Sequence, residues 1–167
     1  MSNTKLTKEE KQAELIKHRA LVIAAIDYQL EDKTQHIKTA DFDSAQYLES
    51  LKGTTEEHFQ KGRLSTLKQW FRDMSEMHIE CRNLAFNKYL NDKTNYEIDI
   101  FKSFNQRINK VIAKGKITSD NQFYDVGILV DQLSQTEPLD MERIETLNKL
   151  LVNYEFRKAS KSKTPTD

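Results

Sequence analysis

The sequence contains very little cysteine, glycine and proline, and each scarcity excludes a class of protein. Cys81 is the single cysteine among 167 residues, so an intramolecular disulfide is excluded and a reducing compartment is expected. Four glycines and two prolines are too few for the many tight turns of a sheet-rich fold. They also leave little scope for a glycine-rich phosphate-binding loop. The composition therefore favours helices.

Long apolar runs and an excess of one charge are also absent. No stretch approaches the ~20 apolar residues that a membrane-spanning helix needs, and residues 1–12 lack the apolar core of a secretory signal. Lys plus Arg and Asp plus Glu each number 26, so no overall field attracts nucleic acid or anionic lipid. We therefore expect a cytoplasmic protein that does not bind membranes, and nucleic acid is a disfavoured partner.

Aliphatic and aromatic residues recur at spacings of three and four, which is typical of amphipathic α-helices. Thr7 and Glu10 form a capping box for a first helix that ends near Glu31. Asp41 or Asp43 can then cap a short second helix. No alternating apolar–polar pattern typical of strands occurs anywhere in residues 7–157.

The middle of the chain has the longest helical pattern. Gly53 is predicted to end the second helix, and Thr54 with Glu57 forms a capping box for the next. The spacing then continues without proline as far as Leu90. This segment is predicted to be one long central helix or a bent helix pair.

Three further helices are predicted in the second half. Thr94 with Glu97 marks the start of one and Gly115 its end, and Ser119 with Gln122 marks the start of the next.

Asp140 caps the last predicted helix, and Gly127 in the helix before it is expected to allow a close helix approach. Together the patterns predict an all-α, irregular bundle of five to seven helices. Residues 1–157 are predicted to form a single domain, and residues 158–167 a disordered tail.

The four histidines are the first candidates for metal or acid–base chemistry. Neither His-x-x-x-His nor Glu-x-x-His occurs in the sequence, so we expect no metal and no cofactor. His78 stands in an apolar series between Met74 and Cys81, which favours a buried histidine. The alternative is a general acid or base in a crevice. Cys81 lies on the same predicted face and is expected to be buried.

Residues 82–89 read Arg-Asn-Leu-Ala-Phe-Asn-Lys-Tyr. Their spacing is similar to the Arg-Asn-x-x-x-His-x-Tyr motif of HEPN-domain ribonucleases, which are also small helical bundles. The resemblance implies metal-independent RNA cleavage, but Asn87 stands where the family has its catalytic base. In a second frame, Arg72 and His78 match a looser arginine–histidine form of the motif. The resemblance thus gives Arg72, His78 and Arg82 as candidate catalytic residues of a HEPN-like nuclease or nucleic-acid effector.

The sequence favours a noncatalytic helical protein over this nuclease. Such a protein would act as an adaptor, a regulator or a toxin-neutralising module by binding another protein or a second copy of itself. Aromatic residues are enriched at protein interfaces. The candidate interaction residues are therefore the aromatic residues expected at the surface: Tyr28, Tyr47, Tyr124 and Phe156.

Overall fold

The computed structural model describes residues 6–161, and within this range every assigned regular element is a helix. The α-helices are α1 Lys8–Glu31, α2 Ser44–Gln60, α3 Leu64–Glu80, α4 Leu84–Thr94, α5 Lys102–Lys114, α6 Asp120–Ser134 and α7 Met141–Lys161. The predicted all-α fold of five to seven helices is confirmed. None of the described helices is long and apolar enough to cross a membrane.

The chain divides into two compact units. The first consists of Met1–Ile79 and Asn83–Ile100, and the second of Glu80–Arg82 and Phe101–Asp167. Helices α1, α2 and α4 therefore belong to the first unit, as does α3 except for its last residue, Glu80. Helices α5 to α7 belong to the second. The grouping of residues 1–157 in a single domain stays a prediction.

Helix α1 is the centre of the first unit and contacts α2 and α4. Its predicted capping box is present: the Glu10 main-chain N–H donates to Thr7 Oγ1 at 3.1 Å, and the Thr7 N–H donates to Glu10 Oε2 at 2.8 Å. One apolar cluster combines α1 with α4 and consists of Ala24, Ala25, Phe86 and Leu90. A second combines α1 with α3 and consists of Leu15, Leu64 and Leu67.

Helix α2 is longer than predicted. Asp43 caps it by accepting hydrogen bonds from the first turn, but the helix continues through Gly53. The predicted end at Gly53 and the predicted start at Thr54 are therefore wrong. A glycine inside a helix costs only ~1 kcal/mol relative to alanine, and the packing of α2 on α1 outweighs this cost. The hydroxyl of Thr54 donates to the carbonyl of Ser50 at 3.3 Å instead of capping a new helix.

Two tight turns divide the segment 54–90. Gly62 has a φ of 63° after the end of α2, and Arg82 has a φ of 50° between α3 and α4. Glycine adopts such values at no steric cost, whereas other residues do so rarely. The segment 54–90 is therefore neither one long helix nor a bent helix pair, and both predictions are wrong: it contains the end of α2, all of α3 and most of α4.

The predicted start at Thr94 is wrong, because Thr94 is the last residue of α4. Its hydroxyl donates to a carbonyl one turn back, and Asn95 follows with a φ of 57°. Helix α5 begins after Phe101, whose side chain cannot act as a cap, so no local signal marks this start. Gly115 ends α5 with a φ of 59°, as predicted.

In the second unit, α6 contacts both α5 and α7. Ser119 begins α6 as predicted by accepting a hydrogen bond from the Gln122 N–H. A Cβ placed on Gly127 would have no atom within 4 Å, so the expected close helix approach at this glycine is wrong. The buried apolar residues of this unit are Phe104, Ile108, Val111, Ile117, Val126, Leu129, Ile144 and Leu147.

Helix α7 extends past the predicted end of the domain at residue 157. Asp140 caps the helix as predicted, since its Oδ1 accepts from the Arg143 N–H at 3.0 Å. Lys158 lies within α7, and its Nζ donates to Asp120 Oδ1 at 2.6 Å. The predicted tail is therefore wrong for residues 158–161, which continue the helix. Residues 162–167 lie outside the described residues.

Candidate functional site

Two of the candidate catalytic residues occupy different sides of α3. Arg72 is exposed, whereas His78 is buried with 5% of its surface exposed. Six residues correspond to roughly 240° around a helix of 3.6 residues per turn. The arginine and histidine of the looser motif therefore do not face one crevice.

Arg82, the third candidate, belongs to the second unit. Its exposed side chain lines an open pocket of about 580 Å³ together with Cys81 and residues of α6 such as Gln132. Cys81 is exposed, so its predicted burial is wrong. Helix α3 ends at Glu80, and Cys81 therefore lies in a turn instead of on the buried face of the helix.

A polar network in the first unit joins Tyr28, His78 and Asn83. The Nδ2 atom of Asn83 donates to Tyr28 Oη and to His78 Nδ1, at 3.2 Å in each case. The Oδ1 atom of Asn83 accepts from the Phe86 N–H at 2.9 Å and so caps α4. One asparagine side chain thus connects α1, the end of α3 and the start of α4.

The ring of His78 lies against two aromatic rings. It stacks on Phe86 with a centroid distance of 3.8 Å, and Tyr28 meets it edge-on at 5.5 Å. Burial lowers the pKa of His78 below its ordinary value of 6.5, so the ring is neutral at neutral pH. Because Nδ1 accepts from Asn83, its lone pair is engaged, whereas a general base needs an accessible one. This geometry favours a structural histidine over a catalytic one.

Other residues of the HEPN-like segment also have structural partners. Asn87, at the position of the family's base, accepts a hydrogen bond from the Ile100 N–H at 3.0 Å. Tyr89 Oη donates to Glu31 Oε1 at 2.7 Å. Burial, together with this hydrogen bond, raises the pKa of Tyr89. Asn87 thus holds the chain that follows α4, and Tyr89 connects α4 with the end of α1.

Among the candidate interaction residues, Tyr28 is not at the surface. It is half-buried and packs against the cluster of Ala24, Ala25, Phe86 and Leu90. Its expected exposure is therefore wrong, since the docking of α4 covers its ring. Tyr47, Tyr124 and Phe156 are exposed, with 52%, 67% and 73% of their surfaces accessible.

Tyr47 belongs to an aromatic pair in the first unit. Its ring lies 6.0 Å from that of Phe42, which is also exposed. A turn before α2 fixes this pair, because the Thr39 N–H donates to the Phe42 carbonyl at 2.7 Å. The pair is a small exposed apolar surface of the first unit.

Phe156 borders a groove between α7 and the segment 115–118, which is part of the connection between α5 and α6. The groove has a volume of about 530 Å³, and we call it the α7 groove. Its main lining residues are Lys116, Ile117, Tyr154, Phe156, Arg157 and Lys158. A smaller pocket of about 300 Å³ on the same two segments also includes Lys116, Phe156 and Arg157.

Arg157 is held in place along the α7 groove. Its Nη2 donates to the Ile117 carbonyl at 2.8 Å, and its Nε donates to the Asn153 carbonyl at 3.0 Å. The guanidinium also lies 5.9 Å from the centroid of the Tyr154 ring. Both acceptors are neutral carbonyl groups, so these hydrogen bonds fix the side chain without neutralising its charge.

Asp120 fixes the other side of α7. It accepts from Tyr154 Oη at 2.9 Å and from Lys158 Nζ at 2.6 Å. The hydrogen bond from Lys158 has the largest effect in lowering the pKa of the Asp120 carboxyl, and the bond from Tyr154 lowers it further. The bond to Asp120 in turn raises the pKa of Lys158. The Tyr154 ring also lies 5.5 Å from that of Phe123. The last turns of α7 are thereby attached to the start of α6.

Comparisons with protein-family models, with curated proteins and with solved structures find no match to this chain. The likeness to HEPN ribonucleases is thus limited to the short motif at residues 82–89. Within the described part of the chain, no group of three His, Cys, Asp or Glu side chains can hold a metal ion. That the protein uses no metal and no cofactor stays a prediction.

Proposed function

We propose that this protein is a noncatalytic helical module that binds another protein through the α7 groove. The observation that carries the proposal is Phe156, which is 73% exposed beside a groove of about 530 Å³. Aromatic residues and arginine are the residue types enriched at protein interfaces, and Arg157 lies next to Phe156 in the lining. The cytoplasmic location expected from the sequence is part of this proposal.

The rigidity of the groove supports binding. Arg157 is fixed by two carbonyl groups, and Tyr154 is fixed by Asp120. Ordering side chains at an interface costs about 0.5–1.5 kcal/mol for each flexible residue. Residues that are already ordered avoid much of this cost, so a partner can bind the groove with little rearrangement.

The HEPN-like nuclease is the alternative, and the contacts of its candidate residues do not favour it. His78 is buried, with Nδ1 accepting from Asn83, and Arg72 is exposed on another side of α3. A binding function needs none of these residues to meet in a catalytic crevice.

The test is affinity purification from the native host with three forms of the full-length protein. We expect the native chain and Val152→Ala to recover the same stoichiometric partner and Phe156→Ala to lose it. Val152 is a matched control because it is 62% exposed on the same helix and is not among the groove residues.

Sedimentation of the same three proteins covers self-association. A concentration-dependent dimer that Phe156→Ala abolishes would support the proposal with a second copy as the partner. A monomer without a recoverable partner would contradict it. So would a partner that Phe156→Ala still retains.

A further inference from the structure

We infer that the occupant of the α7 groove is an acidic peptide segment with an apolar anchor residue, an inference that rests on the function proposed above.

The charges of the α7 groove have one sign. Its described lining contains Lys116, Arg157 and Lys158 and no carboxylate. Asp120 pairs with Lys158 from outside the lining, and no ion pair among the described residues 6–161 involves Lys116 or Arg157. Complementary charge across an interface selects the partner and speeds its association. The groove is therefore suited to a segment that carries Asp or Glu.

Arg157 is the residue best placed to bind a carboxylate. A guanidinium has five N–H groups, and the two hydrogen bonds to Asn153 and Ile117 use two of them. The others are sufficient for a two-point contact with a carboxylate, which is stronger and more directional than a contact with a lysine. Because Arg157 is already fixed, little further ordering is needed.

The apolar part of the groove points to a peptide over a nucleic acid. Phe156 and the ring of Tyr154 offer a surface for one aliphatic or aromatic side chain, as anchor residues at interfaces require. Nucleic-acid binding depends on neutralising several phosphates with basic residues. Two cations that have no ion pair within the described part of the chain, in a protein of zero net charge, are a poor basis for nucleic-acid binding.

The experiment is selection of short random peptides displayed on phage against the full-length protein. Selected peptides are synthesised with a fluorescent label, and their affinities are measured by fluorescence anisotropy. We expect an excess of Asp and Glu together with at least one large apolar residue. We also expect their affinity to fall as the salt concentration rises, because screening weakens attraction between exposed charges.

Two pairs of variants locate the contact. Lys116→Glu is expected to weaken binding about tenfold, equivalent to about 1.4 kcal/mol. Lys114→Glu is the matched control, since it changes the net charge equally at an exposed position two residues away, outside the lining. Phe156→Ala is expected to weaken binding at least about tenfold and Val152→Ala to leave it unchanged. Circular dichroism and thermal unfolding establish that each variant is folded.

The outcomes separate this inference from the proposed function. Selected peptides that are neutral or basic but depend on Phe156 would overturn the acidic occupant and leave the protein-binding function intact. Equal losses of peptide affinity for Lys114→Glu and Lys116→Glu would also overturn the acidic occupant, because the charge attraction would then not depend on a position in the groove. Peptides that bind Phe156→Ala normally, or no selected peptide at all, would contradict both. Tighter binding of a labelled RNA oligonucleotide than of any peptide would replace the peptide with nucleic acid.

Discussion

The side-chain amide of Asn83 donates a hydrogen bond to Nδ1 of the buried His78 across 3.2 Å. The same side chain caps α4 at Phe86 and donates to Tyr28. A buried polar group that loses its partner costs more free energy than the hydrogen bond contributes when it is made. Asn83 and His78 are therefore expected to affect the stability of the first unit.

Asn83→Ala should lower the free energy of unfolding by about 1–3 kcal/mol. The variant removes the cap of α4 and leaves His78 Nδ1 without this donor. Asn83→Asp is the matched control, because it keeps an acceptor for the Phe86 N–H but cannot donate, and a smaller loss is expected. Urea unfolding followed by circular dichroism measures both. An alanine variant as stable as the native protein would refute the role of this network.

Stability should fall as the pH is lowered below the ordinary histidine pKa of 6.5. Burial lowers the pKa of His78 in the folded protein, so the unfolded chain binds the proton more readily. The stabilisation that comes from keeping His78 neutral is complete above the pKa that His78 has in the unfolded chain. It is lost as the pH falls from that value through the lower pKa of His78 in the folded protein. Burial lowers the pKa of His18 as well, so a residual pH dependence remains in His78→Gln. Unfolding free energies across this pH range should be flatter for His78→Gln, and an unchanged slope would contradict the assignment.

Gly127→Ala should stabilise the protein by up to about 1 kcal/mol. The residue lies inside α6, and an added Cβ meets no atom within 4 Å. Gly115→Ala should instead destabilise it, because the φ of 59° at this position is costly for alanine. Thermal unfolding compares the two, and a higher melting temperature for Gly115→Ala would contradict the left-handed conformation at the end of α5.

Cys81 should react with a thiol reagent in the native protein, because it lies exposed in the turn after α3. A chromogenic disulfide added to the folded chain is expected to label one thiol without denaturant. Cys81→Ser supplies the blank. Labelling that begins only after unfolding would restore the buried cysteine predicted from the sequence.

Purified protein should leave RNA intact. Arg72 and His78 lie on different sides of α3, and Asn87 binds the main chain at Ile100. Gel analysis after prolonged incubation compares the native protein with His78→Ala. Cleavage that the variant abolishes while remaining folded would establish the nuclease alternative.

Local signals in the sequence predicted local structure well. Thr7 caps α1, Ser119 caps α6 and Asp140 caps α7, because each signal and its hydrogen-bond partner lie within three residues. The predictions at Gly53 and Thr94 failed for a different reason. Whether a helix ends or begins at such a residue depends on how the helix packs against other helices, and the local sequence gives no information about that packing.

The same distinction applies to the candidate sites. The exposure of Phe156 was predicted, and 73% of its surface is accessible. Tyr28 was predicted to be exposed, but its burial depends on α4, more than fifty residues away in the sequence. The α7 groove depends on the contact of Arg157 with Ile117, which are 40 residues apart. Periodicity cannot predict such a pairing.

The segment Glu80–Arg82, which is the last residue of α3 and the turn after it, belongs to the second unit although the chain on either side of it belongs to the first. Neither unit is therefore a continuous piece of sequence. A truncated chain ending at Ile100 would carry this turn without the remainder of its unit, and a fragment starting at Phe101 would lack it. Experiments that seek to produce one half of the protein alone should begin from the uncut polypeptide, for example by inserting a protease site after Ile100 and separating the pieces afterwards.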